Sequence, residues 1–173
     1  MVDISNFPVE LRWKIATKSA SALLLTQEKI YKDILGQDYK KVQPLTETIN
    51  YISWIHGGKN ASTLSNYLGL PAKTAEEIDK AQGLISVILY GPEIQYKIVD
   101  ATNDHVKTQI TSCQFLNRAK ELGLESETLF ENCKAYNKTF VKNLNPKYTK
   151  KITRAMCMGS KYCETCTELQ NNK

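Results

Sequence analysis

The sequence predicts an α+β fold in which a helical N-terminal half packs on a roughly four-stranded antiparallel sheet made of two hairpins. Apolar residues recur every three or four positions through residues 1–91, as they do on the buried face of a helix. In residues 94–110 they alternate with polar residues, which is the period of a strand. A second alternating region surrounds the turn residues Gly159-Ser160 and predicts the other hairpin.

A single domain is predicted over residues 1–169, because a chain of 173 residues with 42% hydrophobic residues can bury one proper core. Its helical half covers residues 1–91, and residues 92–169 hold the two hairpins with helices between them. Residues 170–173 are polar and are predicted to form a frayed tail.

Capping and stop signals predict where the N-terminal helices begin and end. Thr74 and Glu77 form a capping-box pattern, and Gly57-Gly58 is predicted to end a helix. The predicted helices are Pro8–Leu25 with Asn6 or Ser5 as cap, Thr26–Leu35, a helix through residues 42–55, a short helix ending at Leu68, and Ala75–Leu89.

The second half is predicted to contain strands near residues 94–98 and 106–110, then helices over residues 114–122 and 126–143. Its last hairpin is predicted to join Ile152–Cys157 to Tyr162–Leu169.

Composition narrows the classes of function. The net charge of +5 comes mainly from scattered lysines, without the arginine-rich stripe that favours nucleic-acid binding, so no nucleic-acid partner is expected. No apolar run reaches the roughly 20 residues of a membrane span, and residues 1–6 do not resemble a secretion signal. We therefore expect a cytoplasmic protein with reduced thiols and no membrane partner.

Five cysteines are the most informative residues, and three of them lie in the stretch Met156–Cys166. The predicted strand ends bring Cys113, Cys157 and Cys163 towards one sheet edge, with Cys133 on the helix between the hairpins. Alternation along a strand points Cys163 and Cys166 to opposite faces.

Three interpretations of these thiols stay open. The set Cys113, Cys133, Cys157 and Cys163 could bind zinc or an iron–sulfur cluster, although the spacings match no zinc ribbon or ferredoxin motif. Cys163 or Cys133 could be a catalytic nucleophile, with Arg154 or Lys161 holding an anionic substrate. Each cysteine could also be a small buried apolar residue.

Several short segments carry a resemblance to a known family. They are Val99–Cys113, Leu129–Cys133, Asn145-Pro146-Lys147 and Gly159–Glu164, with weaker matches at Gly58-Lys59 and Leu68-Gly69-Leu70. In these segments the chain resembles the L-2-amino-thiazoline-4-carboxylate hydrolase-like family of small prokaryotic proteins. It is more remotely similar to 4-vinyl-reductase-type ligand-binding domains, which share the Gly-x-x-x-Cys hairpin.

The resemblance covers most of residues 50–166 and implies an α+β scaffold with a cysteine-lined pocket. It also implies hydrolysis of a cyclic C–N bond. Cys157 and Cys166 depart from the family pattern, which favours a metal or cluster over a plain hydrolase.

The leading hypothesis is therefore a small-molecule-binding protein related to these hydrolases, with Cys163 and Cys133 as catalytic candidates and Arg154 and Lys161 as substrate-binding candidates. The alternative is a non-catalytic metal or iron–sulfur protein, and a third hypothesis is a ligand-sensing or scaffold module without chemistry. No cofactor is certain, and a homo-oligomer is left open.

Overall fold

The computed structural model describes residues 4–170. Two groups of residues lie outside the described part. They are residues 1–3, from the N-terminal segment that was compared with a secretion signal, and residues 171–173 of the predicted tail. Five α-helices and four strands follow one another along the described chain: α1 Val9–Leu35, α2 Tyr39–Tyr67, α3 Ala75–Tyr90, β1 Gln95–Ala101, β2 His105–Ser112, α4 Gln114–Glu121, α5 Thr128–Leu144, β3 Tyr148–Arg154 and β4 Cys163–Leu169.

The first two helices are longer than the sequence predicts. α1 runs without interruption through Thr26, and its N-cap residue is Pro8 rather than Asn6 or Ser5, which belong to a short 3-10 helix before it. α2 continues through Gly57-Gly58, so the predicted stop there is wrong.

The reason for the glycine in α2 is close packing. A Cβ atom added at Gly58 would lie 2.7 Å from the backbone oxygen of Tyr136 in α5, so only glycine lets these two helices approach so closely. A helix-breaking residue is tolerated inside a long helix when tertiary contacts outweigh its intrinsic propensity.

The start of α3 confirms the capping-box prediction. The backbone N–H of Glu77 donates to the Thr74 hydroxyl at 3.2 Å, and the Glu77 carboxylate accepts from the backbone N–H of Thr74 at 3.2 Å. This reciprocal pair satisfies two helix-terminal donors and fixes the helix carrying much of the site.

The four strands form one antiparallel sheet in the order β1-β2-β4-β3, which confirms the predicted α+β class and its sheet of two hairpins. The hairpins join along β2 and β4, where Ile110 pairs with Cys163 and Thr108 with Thr165. The second hairpin differs from the prediction, because β3 ends at Arg154 and Cys157 lies in a 3-10 helix, Met156–Met158, rather than on a strand.

The chain turns after this 3-10 helix at Gly159, whose φ of 88° is left-handed and favours glycine. The turn brings Cys163 back towards the start of the same segment, where the backbone N–H of Met156 donates to its sulfur at 3.2 Å.

The core lies where α3 and α5 contact the sheet and α2 packs on α5. Ile78, Ile85, Val106, Phe140 and Val141 are all 0% exposed there. No helix within the described residues is both long and apolar enough to cross a membrane. At the chain end, Gln170 is held by two hydrogen bonds, to the backbone oxygens of Lys147 and Tyr148.

Candidate functional site: a cysteine-lined apolar cavity

A cavity of about 120 Å³, called the inner cavity here, lies between α3, α5 and the helix-facing side of the sheet. Apolar side chains supply most of its surface, which is typical of small-molecule sites. Its size is close to that of an engineered apolar cavity of about 150 Å³ that binds benzene. The inner cavity therefore suits a ligand of about one ring.

Aromatic rings form one end of the inner cavity. Trp54 of α2 and Phe115 of α4 meet with ring centroids 4.5 Å apart, and Tyr136 of α5 meets Trp54 edge-on at 6.0 Å. Phe130 of α5 also lines the cavity. Tilted and edge-on ring pairs are the favoured aromatic geometries, so this end is a rigid, apolar wall. Trp54 is 6% exposed, so it belongs to the core as well as to the cavity wall.

Four of the five cysteines line this same cavity. Cys113 precedes α4, Cys133 lies on α5, Cys157 sits in the 3-10 helix and Cys163 begins β4. Cys166 does not line the cavity, and its thiol donates to the Glu168 carboxylate at 3.5 Å. The predicted opposite orientation of Cys163 and Cys166 is thus observed.

Burial keeps these thiols protonated. It raises the pKa of Cys157 to about 11, with neighbouring Cys163 and Cys113 adding to the effect. The pKa of Cys133 is raised well above its ordinary range by burial first and then by Cys113, Cys157 and Cys163. Burial also raises the pKa of Cys163, against the opposing hydrogen bond from Met156. A thiolate nucleophile is therefore not favoured by this environment, and the catalytic roles of Cys163 and Cys133 stay predictions.

The arrangement of ligand-type side chains bears on the metal hypothesis. Within residues 4–170, no group of three or more His, Cys, Asp or Glu side chains is arranged to hold a metal ion. Binding zinc or a cluster at Cys113, Cys133, Cys157 and Cys163 would require these side chains to move closer together. That metal site stays a prediction.

The two basic residues predicted to hold a substrate lie elsewhere. Arg154 is exposed at the end of β3, with its guanidinium 5.4 Å from the centroid of the Tyr162 ring, and Lys161 is exposed in the turn before β4. Among the described residues, no Lys or Arg side chain lines the inner cavity. A role for Arg154 or Lys161 in substrate binding stays a prediction and would apply to a surface site.

A carboxylate that belongs to a buried ion pair forms part of the polar side of the inner cavity. Asp79 of α3 lines the cavity and accepts a hydrogen bond from Lys150 of β3 at 2.5 Å, and the two side chains are only 3% and 6% exposed. Thr108 and Thr167 also donate to the Asp79 carboxylate. Burial acts to raise the pKa of Asp79, but the Lys150 charge and these hydrogen bonds outweigh it and lower the pKa.

This network extends along the cavity wall through two amides. Gln82 accepts from Lys150 at 2.8 Å and donates to Asn137 at 2.8 Å, and Asn137 in turn donates to the backbone oxygen of Cys133. Every one of these buried groups is hydrogen-bonded, so the network holds an anionic carboxylate at a fixed place beside the cavity.

Three further side chains of the cavity wall carry a polar atom without a protein partner. In the part of the chain that the structure describes, Gln114 Oε1, Thr165 Oγ1 and the Tyr136 hydroxyl are buried without a hydrogen bond, and Gln114 and Thr165 are each 3% exposed. Leaving a buried polar atom unpaired costs about 1–3 kcal/mol. A ligand hydroxyl in the cavity could satisfy them, since an amide oxygen accepts and a threonine hydroxyl does both.

The polar residues of the site had not been identified from the sequence. Asp79, Lys150, Gln114 and Thr165 come from four different elements, and no motif spacing connects them. Asp79 and Gln82 did carry a weak signal, because both interrupt the apolar positions of α3 on the side that faces the sheet. Phe115 carried no sequence signal for a role in the site beyond its place at the start of a helix.

Comparisons with known proteins reveal a similarity of fold only. No protein-family model matches this sequence, and no curated protein matches it either. Among solved structures, it is similar to the phenol-responsive sensory domain of the transcription activator PoxR, determined with phenol. The TM-score is 0.54 at 12% sequence identity, over 86% of this chain and 74% of that domain.

The chain shares its fold with a phenol-responsive sensory domain. At 12% identity this likeness concerns the fold alone. It agrees with the α+β fold that the resemblance implies. The specific hydrolase family has no support from a family match.

Proposed function

We propose that this protein is a small-molecule-binding sensory domain whose ligand is a neutral, single-ring compound with a hydroxyl group. The single observation that carries the proposal is an apolar cavity of ring size whose wall includes the unpartnered buried polar atoms Gln114 Oε1 and Thr165 Oγ1. The structural neighbour, a phenol-responsive domain, supports the same ligand class.

Charge in the cavity wall argues for a neutral ligand. The Asp79 carboxylate is ionised beside the cavity, and its partner Lys150 does not line it. An anion placed there would meet a like charge in a low-dielectric site, without a basic side chain to offset its lost hydration. A hydroxyl can instead donate to Gln114 Oε1.

A calorimetric titration with phenol tests this proposal, with Ala155→Leu as the blocking variant. Ala155 lines the inner cavity and is 5% exposed, so a larger side chain there occupies the space that the ligand needs. We expect phenol to bind the natural protein and to bind Ala155→Leu at least about tenfold more weakly. Ala101→Leu, at the exposed end of β1, is the matched control and should bind as the natural protein does. Equal binding to all three proteins would contradict the proposal.

Hydrolysis of a cyclic C–N bond is the finer hypothesis that the family resemblance supports. It requires Cys163 or Cys133 as nucleophile or acid–base group, and both thiols line the cavity. The test is hydrolysis of an L-2-amino-thiazoline-4-carboxylate by the natural protein, Cys163→Ala and Cys133→Ala. Activity lost in one variant supports thiol chemistry, and activity unchanged in both contradicts it.

A second candidate is a soft metal ion or cluster, favoured by the location of Cys113, Cys133, Cys157 and Cys163 around one cavity. Thiolates are soft ligands that favour binding of zinc and iron–sulfur clusters. Elemental analysis of anaerobically prepared protein tests it, with Cys166→Ser as control because Cys166 lies away from the cavity. Metal bound to the natural protein and to this control, and lost in Cys157→Ser, supports the metal site; protein without metal contradicts it.

A further inference from the structure

A second cavity lies directly behind the aromatic end of the inner cavity. This outer cavity of about 180 Å³ is bounded by α1 and α2, with the small residues Ala20, Ser21 and Gly57 on its walls. Three rings line both cavities, namely Trp54, Phe115 and Tyr136. These three rings therefore form the wall that the two cavities share.

Three rings separate the two cavities. Of these, Phe115 is the ring whose removal should disturb the fold least. Trp54 and Tyr136 are each 6% exposed and belong to the long packed helices α2 and α5. Phe115 is only partly buried and lies in the first turn of α4, a helix of eight residues. Its ring contacts Trp54 on one side and Tyr90 on the other, with centroid distances of 4.5 and 4.8 Å. Tyr90 lines only the outer cavity, whereas Phe115 lines both. The Phe115 ring therefore lies at the boundary between the two cavities.

We propose that Phe115 is a specificity-determining residue that limits the ligand to one ring by closing the inner cavity against the outer one. The inference rests on the proposed function, since it assumes that the inner cavity is the ligand site. Without the Phe115 ring, the two cavities become one elongated apolar site. A two-ring compound then fits, with its hydroxyl-bearing ring in the inner cavity and its second ring between α1 and α2.

Calorimetric titration of phenol and 4-phenylphenol into three proteins tests the inference. The proteins are the natural chain, Phe115→Ala and Phe130→Ala. Phe130→Ala is the matched control, because Phe130 is a partly buried phenylalanine that lines the inner cavity and not the outer one. We expect 4-phenylphenol to bind Phe115→Ala about tenfold more tightly than the natural protein, and Phe130→Ala to show less than about a threefold gain.

A double variant locates the second ring. Ser21 is 2% exposed and lines the outer cavity only, so Ser21→Leu fills that cavity. Adding it to Phe115→Ala should abolish the gain for 4-phenylphenol. Circular dichroism checks the fold of each variant, and Phe115→Leu, which shortens the side chain less, replaces Phe115→Ala if the latter does not fold.

The outcomes separate this inference from the proposed function. Phenol that fails to bind the natural protein contradicts the proposed function. An equal gain for 4-phenylphenol in Phe115→Ala and Phe130→Ala contradicts the role of Phe115, as does the absence of any gain in a folded Phe115 variant. A gain that persists in the double variant with Ser21→Leu also contradicts it.

Discussion

Asp79 and Lys150 are a buried ion pair at the cavity wall, and their energetics follow from the lack of water around them. Their side chains are 3% and 6% exposed, so each charge depends on its partner and on the surrounding hydrogen bonds for its stabilisation. Removing one partner of such a pair typically costs about 3–5 kcal/mol, because the other charge stays buried without compensation.

We predict that Lys150→Met lowers the free energy of unfolding by about 3–5 kcal/mol at neutral pH, measured by urea denaturation. The matched control is Lys14→Met, which removes the exposed ion pair with Glu10, whose side chains are 51% and 72% exposed. That change should leave the free energy of unfolding almost unchanged, because water and salt screen an exposed pair. Similar losses in both variants would contradict the structural role of the buried pair.

The same pair predicts a pH dependence whose sign follows from the lowered pKa of Asp79. A carboxyl with a lower pKa in the folded protein stabilises it above the unfolded pKa, and this stabilisation is lost as pH falls through the folded pKa. The difference in unfolding free energy between the natural protein and Lys150→Met should therefore shrink below about pH 4. A difference that is constant from pH 7 to pH 3 would contradict the assignment.

Gln114 predicts opposite effects on stability and on binding. Its Oε1 atom is buried without a partner, so Gln114→Met should leave the free protein equally stable or raise its unfolding free energy by about 1 kcal/mol. The same change should weaken phenol binding about tenfold, because the ligand hydroxyl loses its acceptor. Gln82→Met is the control: it breaks the bonds to Lys150 and Asn137 and should destabilise the free protein. Denaturation and calorimetry of both variants check these effects.

At the scale of residues, the sequence predicted a shared place for the cysteines but not the chemistry around them. Cys113, Cys157 and Cys163 could be brought together because strand ends and a turn limit where they lie. The Asp79–Lys150 pair could not be predicted, since it joins residues that are 71 positions apart and depends on the register of β3 against β4.

At the scale of elements, α2 and α5 pack closely against each other, and Gly58 permits their close approach. A Cβ atom at this position would lie 2.7 Å from the Tyr136 oxygen and 3.1 Å from the Thr139 Cβ. Neither atom is the end of a flexible side chain, so the helices themselves would have to separate.

We predict that Gly58→Ala lowers the unfolding free energy by about 1–3 kcal/mol despite the better helix propensity of alanine. The adjacent Gly57 is the control, because the nearest atom to an added Cβ there is 3.7 Å away, which is an ordinary contact. Gly57→Ala should therefore stabilise the protein by about 1 kcal/mol. Urea denaturation of the two variants measures both effects, and equal signs would contradict the packing argument.

The elements show which patterns in a sequence can be trusted. The Thr74–Glu77 box and the alternation in β1 and β2 are local signals, and both predictions are confirmed. Gly57-Gly58 and the extent of the last hairpin were predicted wrongly, because a glycine needed for helix contact looks the same in sequence as one that ends a helix. The 3-10 helix that carries Cys157 likewise lacks a distinctive local pattern.

At the scale of the whole molecule, helices α3 and α5 and the sheet all contribute to the inner cavity, so a ligand there contacts both the helical layer and the sheet. A compound that binds only the folded state stabilises the whole domain, by about 2.7 kcal/mol at a concentration 100 times its dissociation constant. The predicted homo-oligomer is not tested by this structure and stays a prediction.

The most direct test of a neutral, hydroxyl-bearing ligand is urea denaturation of the natural protein with phenol, toluene or benzoate at equal concentrations. Phenol should raise the unfolding free energy most, toluene less because it cannot donate to Gln114 Oε1, and benzoate not at all because Asp79 repels it. Benzoate that stabilises the protein as much as phenol, or phenol that leaves the unfolding free energy unchanged, would contradict the proposed ligand class.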